Sequence, residues 1–269
     1  MTTLDVMLRV AVEASAVIAE VYETPFSVDF KAPEDPVTAA DRRANTLICE
    51  RLSQAFPGVP LVAEESDPET FAGYRTAERV FFVDPLDGTA EFVNRNGEFV
   101  VMIGLFDGDR ATTGVVLAPA SGVAWIGEVG QGAWSVTANG LREPIRVSSV
   151  ATLAESRVVT SRTHRSPMLE RTLALLAARE VVTLGSAGLK GAEIAAAGAE
   201  VYVGPGMVGK RWDACAIDAI IVAAGGRFTD TSGAAFDYRA PSLVNDRGLT
   251  ATNGLVHEAV LECLRKLEP

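Results

Sequence analysis

The stretch Val83-Asp84-Pro85-Leu86-Asp87-Gly88-Thr89 sets two carboxylates three residues apart at the end of an apolar run. Pro85 holds Asp84 extended and cannot continue a ladder. A tight turn over Pro85-Leu86 would bring the Asp84 and Asp87 carboxylates to one point, and Gly88 would let the backbone approach a ligand closely. A helix starting at Gly88-Thr89 would present free N–H groups to an anion. One loop would then supply oxygens for a hard cation and amides for a phosphate. The plainer reading is a polar turn with Asp87 as an N-cap, and the spacing alone leaves both open.

Three more segments end or open an apolar element with acids. Glu64-Glu65 follows "VPLVA", which alone reads as a solvated turn. Thr38-Ala39-Ala40-Asp41 fits a capping box. Asp213 follows "GKRW" and could simply cap the apolar-periodic helix after it. Asp218 lies about 140° further round that helix and reads as a solvated or structural acid. As a set, the acids offer oxygen-only ligands, which select Mg²⁺ over zinc. The chain has only two histidines, His164 and His257, too few for a His-rich zinc site. Two Mg²⁺ ions held by bridging carboxylates would clamp a phosphate and acidify a water.

The elements that must position these acids follow from periodicity. Leu4, Met7, Leu8, Ala11, Ala14, Val17, Ile18 and Val21 predict an amphipathic helix. "FSVDFKAPEDPV" reads as a polar connection, and a second helix runs from after Thr38 to before Pro57. "VPLVA" and "RVFFV" are short apolar strands. From Glu98 to Val147, strand-like runs separated by Asp107-Gly108, Ser121-Gly122 and Gly130-Gln131-Gly132 predict an antiparallel meander. Beyond about residue 150, strands ("SRVVTSR", "VVTL", "EVYVG") alternate with helices ("MLERTLALLAARE", "AGLKGAEIAAAGA", "DACAIDAIIVAA"), an α/β pattern. The expected division is an α+β part over 1–149 that binds metal and phosphate, and an α/β part over 150–269 that binds substrate.

The totals narrow the class. A chain of 269 residues suits one large domain or two modest ones. Three widely spaced cysteines, Cys49, Cys215 and Cys263, suit reduced thiols in the cytoplasm. A formal charge of −11 disfavours a nucleic-acid polymer or an anionic membrane as partner. No apolar run reaches the ~20 residues of a membrane span, and the charged N-terminus does not read as a signal peptide.

With these residues in hand, the chain resembles the Mg²⁺-dependent, lithium-sensitive inositol monophosphatase superfamily. The likeness runs in order through "DPVTAAD" (35–41), "AEES" (63–66), "DPLDGT" (84–89), "WD" (212–213) and "AAGG" (223–226). It implies a layered αβαβα sandwich, with N-terminal helices on an antiparallel sheet and a C-terminal α/β layer. It implies hydrolysis of a phosphate monoester by an activated water, with two to three Mg²⁺ ions that Mn²⁺ can replace. Glu64, Asp84 and the Leu86 carbonyl would hold one metal, and Asp84, Asp87 and Asp213 a second. Asp41 would orient water around a weaker third. Glu64 and Thr89 would position the attacking water, and the Gly88 and Thr89 amides would bind phosphate. A homodimer is expected on the same ground.

Within the superfamily, "EFVNRNGEF" (91–99), "SRTHRSP" (161–167) and "KRWDACA" (210–216) look like the 3'(2'),5'-bisphosphate nucleotidases. Carried over, Ser161, Thr163, His164, Gly185, Ser186 and Lys190 would hold the nucleotide, Lys190 at a second phosphate remote from the metals. The expected substrate is 3'-phosphoadenosine 5'-phosphate, giving AMP, with inositol 1-phosphate or a related polyol phosphate as the alternative. Other classes fit less well. Gly204 to Lys210 matches GxxxxGK, but Arg211 stands where a P-loop needs Ser or Thr. Cys215 as a thiol nucleophile competes with simple packing on an apolar helix face.

Overall fold

Thr2 caps α1 (Thr3–Tyr22), accepting from the Asp5 N–H while the Asp5 carboxylate accepts from the Thr2 N–H. The face from Leu4 to Val21 is buried, at the spacing the sequence shows. α2 (Ala39–Ala55) opens on the Thr38–Asp41 capping box and buries Ala44, Ile48 and Leu52. These features belong to a computed structural model that describes residues 1–32, 35–163 and 165–267. The stretch expected to be a plain connection is instead an antiparallel hairpin, β1 (Val28–Ala32) on β2 (Asp35–Thr38). β1 is largely exposed, Phe30 included, so no buried face marks it as a strand.

β3 (Leu61–Ala63) pairs in parallel with β4 (Arg79–Asp87). β4 then begins the antiparallel run with β5 (Val100–Asp107), β6 (Arg110–Ala118), β7 (Val123–Glu128), β8 (Gly132–Val136) and β9 (Arg142–Ile145), making a seven-stranded sheet among the described residues. β4 alternates between two cores. Phe81 and Val83 pack with Met7, Ile18, Ile48 and Leu52 of α1 and α2, while Val80 and Phe82 face Ile217, Ile220 and Ile221. Burial on both faces explains why "RVFFV" is continuously apolar.

The second sheet orders as β11 (Glu180–Leu184), β10 (Arg157–Ser161), β12 (Val201–Gly204), β14 (Leu249–Thr252) and β13 (Arg227–Thr229). β10 is parallel to both β11 and β12, and β14 is antiparallel to its neighbours. Between the sheets lie α5 (Ala187–Ala195) and α6 (Arg211–Ala223). α4 (Pro167–Leu176) and α7 (His257–Arg265) cover the far side through Leu176, Val260 and Leu261 on Val158, Val201 and Val203. The layers therefore alternate αβαβα, as the resemblance implied.

α6 reaches its place because three strands give way to it. Gly104 pairs with Gly114, and Gly114 with Gly127, so the glycines form one row across β5, β6 and β7. A Cβ at any of them would run into the backbone of α6, at Ala216 or Ile220. The helix lies directly on the sheet, which carries its N-terminal Asp213 to the end of β4.

Candidate active site

The ladder between β4 and β5 slips between Asp84 and Asp87: Asp84 pairs with Met102 and Asp87 with Val100. The extra residue on β4 is a bulge, a device that re-aims side chains. Asp84 Oδ1 accepts from the Leu86 N–H at 2.9 Å, closing the turn expected at Pro85-Leu86. Gly88 follows at φ 97° and is itself the N-cap of the short helix α3 (Thr89–Val93). Asp87 is therefore no N-cap of its own helix. Its Oδ2 instead accepts from the Ser186 hydroxyl and from the Gly188 N–H (2.7 Å), at the start of α5.

From the other side, Asp213 in the first turn of α6 accepts from the Lys210 N–H. Ligand oxygens of Asp84, Asp87 and Asp213 lie within 4.8 Å of one another. Burial, and then the charges of Glu64, Asp87 and Asp213, push the Asp84 pKa well up. Burial and repulsion by Glu64 and Asp87 raise Asp213 to about 7. Burial also raises Asp87, against the pull of Lys190 and its two hydrogen bonds. Three acids with oxygens this close carry more negative charge than their surroundings cancel. An all-oxygen donor set in that state fits a hard divalent cation.

Asp41 is both a cap and a site residue. Its Oδ2 accepts from the Thr38 N–H (2.8 Å) and hydroxyl (2.6 Å). Its Oδ1 accepts from the Thr89 hydroxyl at 2.8 Å, across from the loop after β4. The Thr89 hydroxyl also lies 3.2 Å from the Leu86 carbonyl. Glu64 stands near the three aspartates but is paired with Lys31, whose Nζ donates to Glu64 at 2.9 Å and to Glu65 at 2.7 Å. Burial works against the Lys31 charge, yet the two glutamates together hold its proton more tightly than usual. Lys31 was not foreseen, because the hairpin that carries it was not.

The expected nucleotide contacts are placed unevenly. Ser161 ends β10 and Thr163 follows it; His164 lies outside the described residues. Ser186 is fully buried, caps α5 by accepting from the Leu189 N–H, and donates its hydroxyl hydrogen bond to Asp87. The Gly185 N–H donates to Glu98. Lys190, expected at a second phosphate, is held inside the protein. It is 3% exposed, donates to the Leu184 and Gly185 carbonyls at 3.3 and 3.2 Å, and lies over the Tyr202 ring. Burial lowers its pKa to about 8, and the Asp87 and Asp213 charges work against that fall. Lys190 is thus buried near enough to the aspartates for their charges to act on it. Helix periodicity could not show this, since the buried face of α5 carries Lys190 towards the acids as well as Ile194 and Ala195 into the core.

The rival motifs are accounted for. In the GxxxxGK segment the Lys210 N–H donates to the Asp213 carboxylate and the Arg211 N–H to the Leu243 carbonyl, so these amides are engaged within the protein. Cys215 is fully buried, and burial raises its thiol pKa well above normal, so it is no nucleophile. His257 is buried between the Thr229 and Thr252 hydroxyls, 3.0 Å from each. Asp218 is buried under the Tyr238 hydroxyl, a structural acid and not a solvated one.

The model of the inositol monophosphatase family matches residues 2–267. The chain belongs to the inositol monophosphatase family. It is 37% identical over 239 residues to the 3'(2'),5'-bisphosphate nucleotidase CysQ of Escherichia coli, covering 87% of this chain and 93% of that protein. It is 32% identical to inositol monophosphatase 1 of Solanum lycopersicum over 99% of this chain and 97% of the relative. Among solved structures, the Thermotoga maritima IMPase superposes with a TM-score of 0.84 at 27% identity, over 99% of this chain and 98% of that one. This inositol monophosphatase family member is thus a phosphatase, a phosphoric monoester hydrolase. Its family is Mg²⁺-dependent, and the buried aspartate cluster suits such an ion. No helix among the described residues is long and apolar enough to cross a membrane.

Proposed function

We propose that the protein removes the 3'-phosphate of 3'-phosphoadenosine 5'-phosphate, giving AMP. The convergence of Asp84, Asp87 and Asp213 supports the phosphatase chemistry, and the likeness to the CysQ nucleotidase over most of both chains supports the substrate. Mg²⁺ would be held by Asp84, Asp87 and Asp213, with Glu64 and the Leu86 carbonyl completing the oxygen set. When bound, it supplies the positive charge that a phosphate dianion requires and makes a water acidic enough to attack.

The chain's own groups would prepare that attack. Asp41 accepts the hydrogen bond of the Thr89 hydroxyl, so the Thr89 oxygen is left to accept a hydrogen bond from a water. Glu64 is the carboxylate free to receive a water proton once it is released from Lys31. The Gly88 and Thr89 amides, at the start of α3, would hold the phosphate. On the nucleotide side Ser161 and Thr163 remain the proposed contacts, with Arg162 between them at the rim, its side chain 39% exposed. Gly185, Ser186 and Lys190 are proposed on the same side, supporting the nucleotide through the turn that carries them. Two to three ions, lithium sensitivity, a homodimer and a cytoplasmic location are inferred with this reading.

A panel with Mg²⁺ read by phosphate release tests the proposal. Preference for the adenosine bisphosphate is expected. Faster release from inositol 1-phosphate would favour the second reading, which rests on the 32% likeness to the plant inositol monophosphatase.

A further inference from the structure

Asp87 is held by the turn Leu184-Gly185-Ser186; Glu98 and Lys190 bond that turn, Arg162 braces Glu98, and Glu91 packs on the turn. Glu98 Oε2 accepts from the Gly185 N–H at 2.7 Å. Lys190 Nζ donates to the carbonyls of Leu184 and Gly185. Arg162 donates to Glu98 Oε1 at 2.6 Å and lies 3.3 Å from the Thr183 carbonyl. Glu91, buried, packs so closely on Gly185 that any Cβ there would overlap its carboxylate. Glu98 is the member that touches both loops of the site. Its own carbonyl lies 2.8 Å from where a Cβ on Gly88 would stand, beside Asp87 in sequence, while its side chain crosses to Gly185. Burial alone would raise the Glu98 pKa; the bonds from Arg162 and Gly185 outweigh it and hold the carboxylate ionised.

We infer that Glu98 is a positioning residue for Asp87: it anchors the Gly185-Ser186 turn, and the Ser186 hydroxyl and Gly188 N–H then aim the Asp87 carboxylate at the metal position. The inference rests on the reading of Asp87 as a metal ligand. Groups that orient a ligand from behind are commonly worth 10–100-fold in metal affinity. The route through Ser186 makes a sharper demand, because two residues acting through one contact do not act additively.

The experiment is a Mg²⁺ titration of metal-free protein by calorimetry, without substrate, on wild type, Glu98→Ala, Ser186→Ala and the double variant. Each single change should weaken Mg²⁺ by about 10-fold or more, and the double variant should bind little more weakly than Ser186→Ala alone. Multiplying losses in the double variant, or a Glu98→Ala protein that binds as wild type does, overturn the inference. If Glu98→Ala does not fold, Glu98→Gln carries the test. Its single carbonyl oxygen must serve two donors, Gly185 and Arg162, so several-fold weaker binding is expected and unchanged binding overturns the role. Wild-type protein that takes up no Mg²⁺ would overturn the metal reading itself, an outcome distinct from the others.

Discussion

Asp213 and Asp218 sit on the same helix, and burial raises each to about 7. Their surroundings differ. Asp218 Oδ2 accepts from the Tyr238 hydroxyl at 2.9 Å, and that ring is set among Phe82, Phe106 and Phe236. Asp213 also accepts a hydrogen bond, from the Lys210 N–H, but Glu64 and Asp87 crowd it with like charge, and Asp84 lies close by. A buried acid answered by one dipole is a finished structural contact. A buried acid facing other acids is incomplete until a cation arrives. A raised pKa alone would not separate them; the sign of the neighbours does.

The largest effect should come from removing one charge at each place. Asp213→Asn should lower turnover by more than about 100-fold, beyond what orienting groups contribute, while Asp218→Asn leaves turnover near wild type. Comparable losses in both, measured by phosphate release at saturating Mg²⁺, would erase the distinction. Next in size is the response of stability to metal. Mg²⁺ at about 100 times its Kd should stabilise wild type and Asp218→Asn by about 2.7 kcal/mol, and Asp213→Asn far less, as read from melting curves. In metal-free buffer the order should reverse, Asp213→Asn melting above wild type because a repelled charge is gone.

Tyr238→Phe sharpens the other half of the comparison. It leaves the Asp218 carboxylate buried without its donor, and a cost of about 1–3 kcal/mol is expected in denaturant unfolding, with the Mg²⁺ response intact. The smallest effect concerns His257, a buried base between two hydroxyls. Burial lowers its pKa from 6.5 to about 4. Between those values the unfolded chain binds a proton that the folded chain does not, so stability falls as pH drops from 6.5 towards 4. The site aspartates, with raised values, act in the opposite sense in metal-free protein. Melting temperatures of wild type and His257→Gln, both with Mg²⁺, isolate the term: the wild-type curve should fall more steeply below pH 6.5.

Much of the fold was legible in the chain. Apolar residues three and four apart marked α1 and α2, and alternating runs with Gly-bearing turns marked β5 to β8, because these patterns are set by each element's own geometry. The hairpin β1–β2 was not legible, since β1 is largely exposed and buries too little to impose a pattern. By itself the sequence determined which acids close apolar elements and that Pro85 and Gly88 would bend the chain there. Only the tertiary structure decided what those acids face. It set Lys31 on Glu64, buried Lys190 near Asp87, and joined Glu98 to Gly185 across 87 residues of chain. Local spacing carries the geometry of one helix or one turn. Contacts between distant side chains are fixed by how two sheets close on α5 and α6, through glycines at 104, 114 and 127 whose significance lies in the helix they admit.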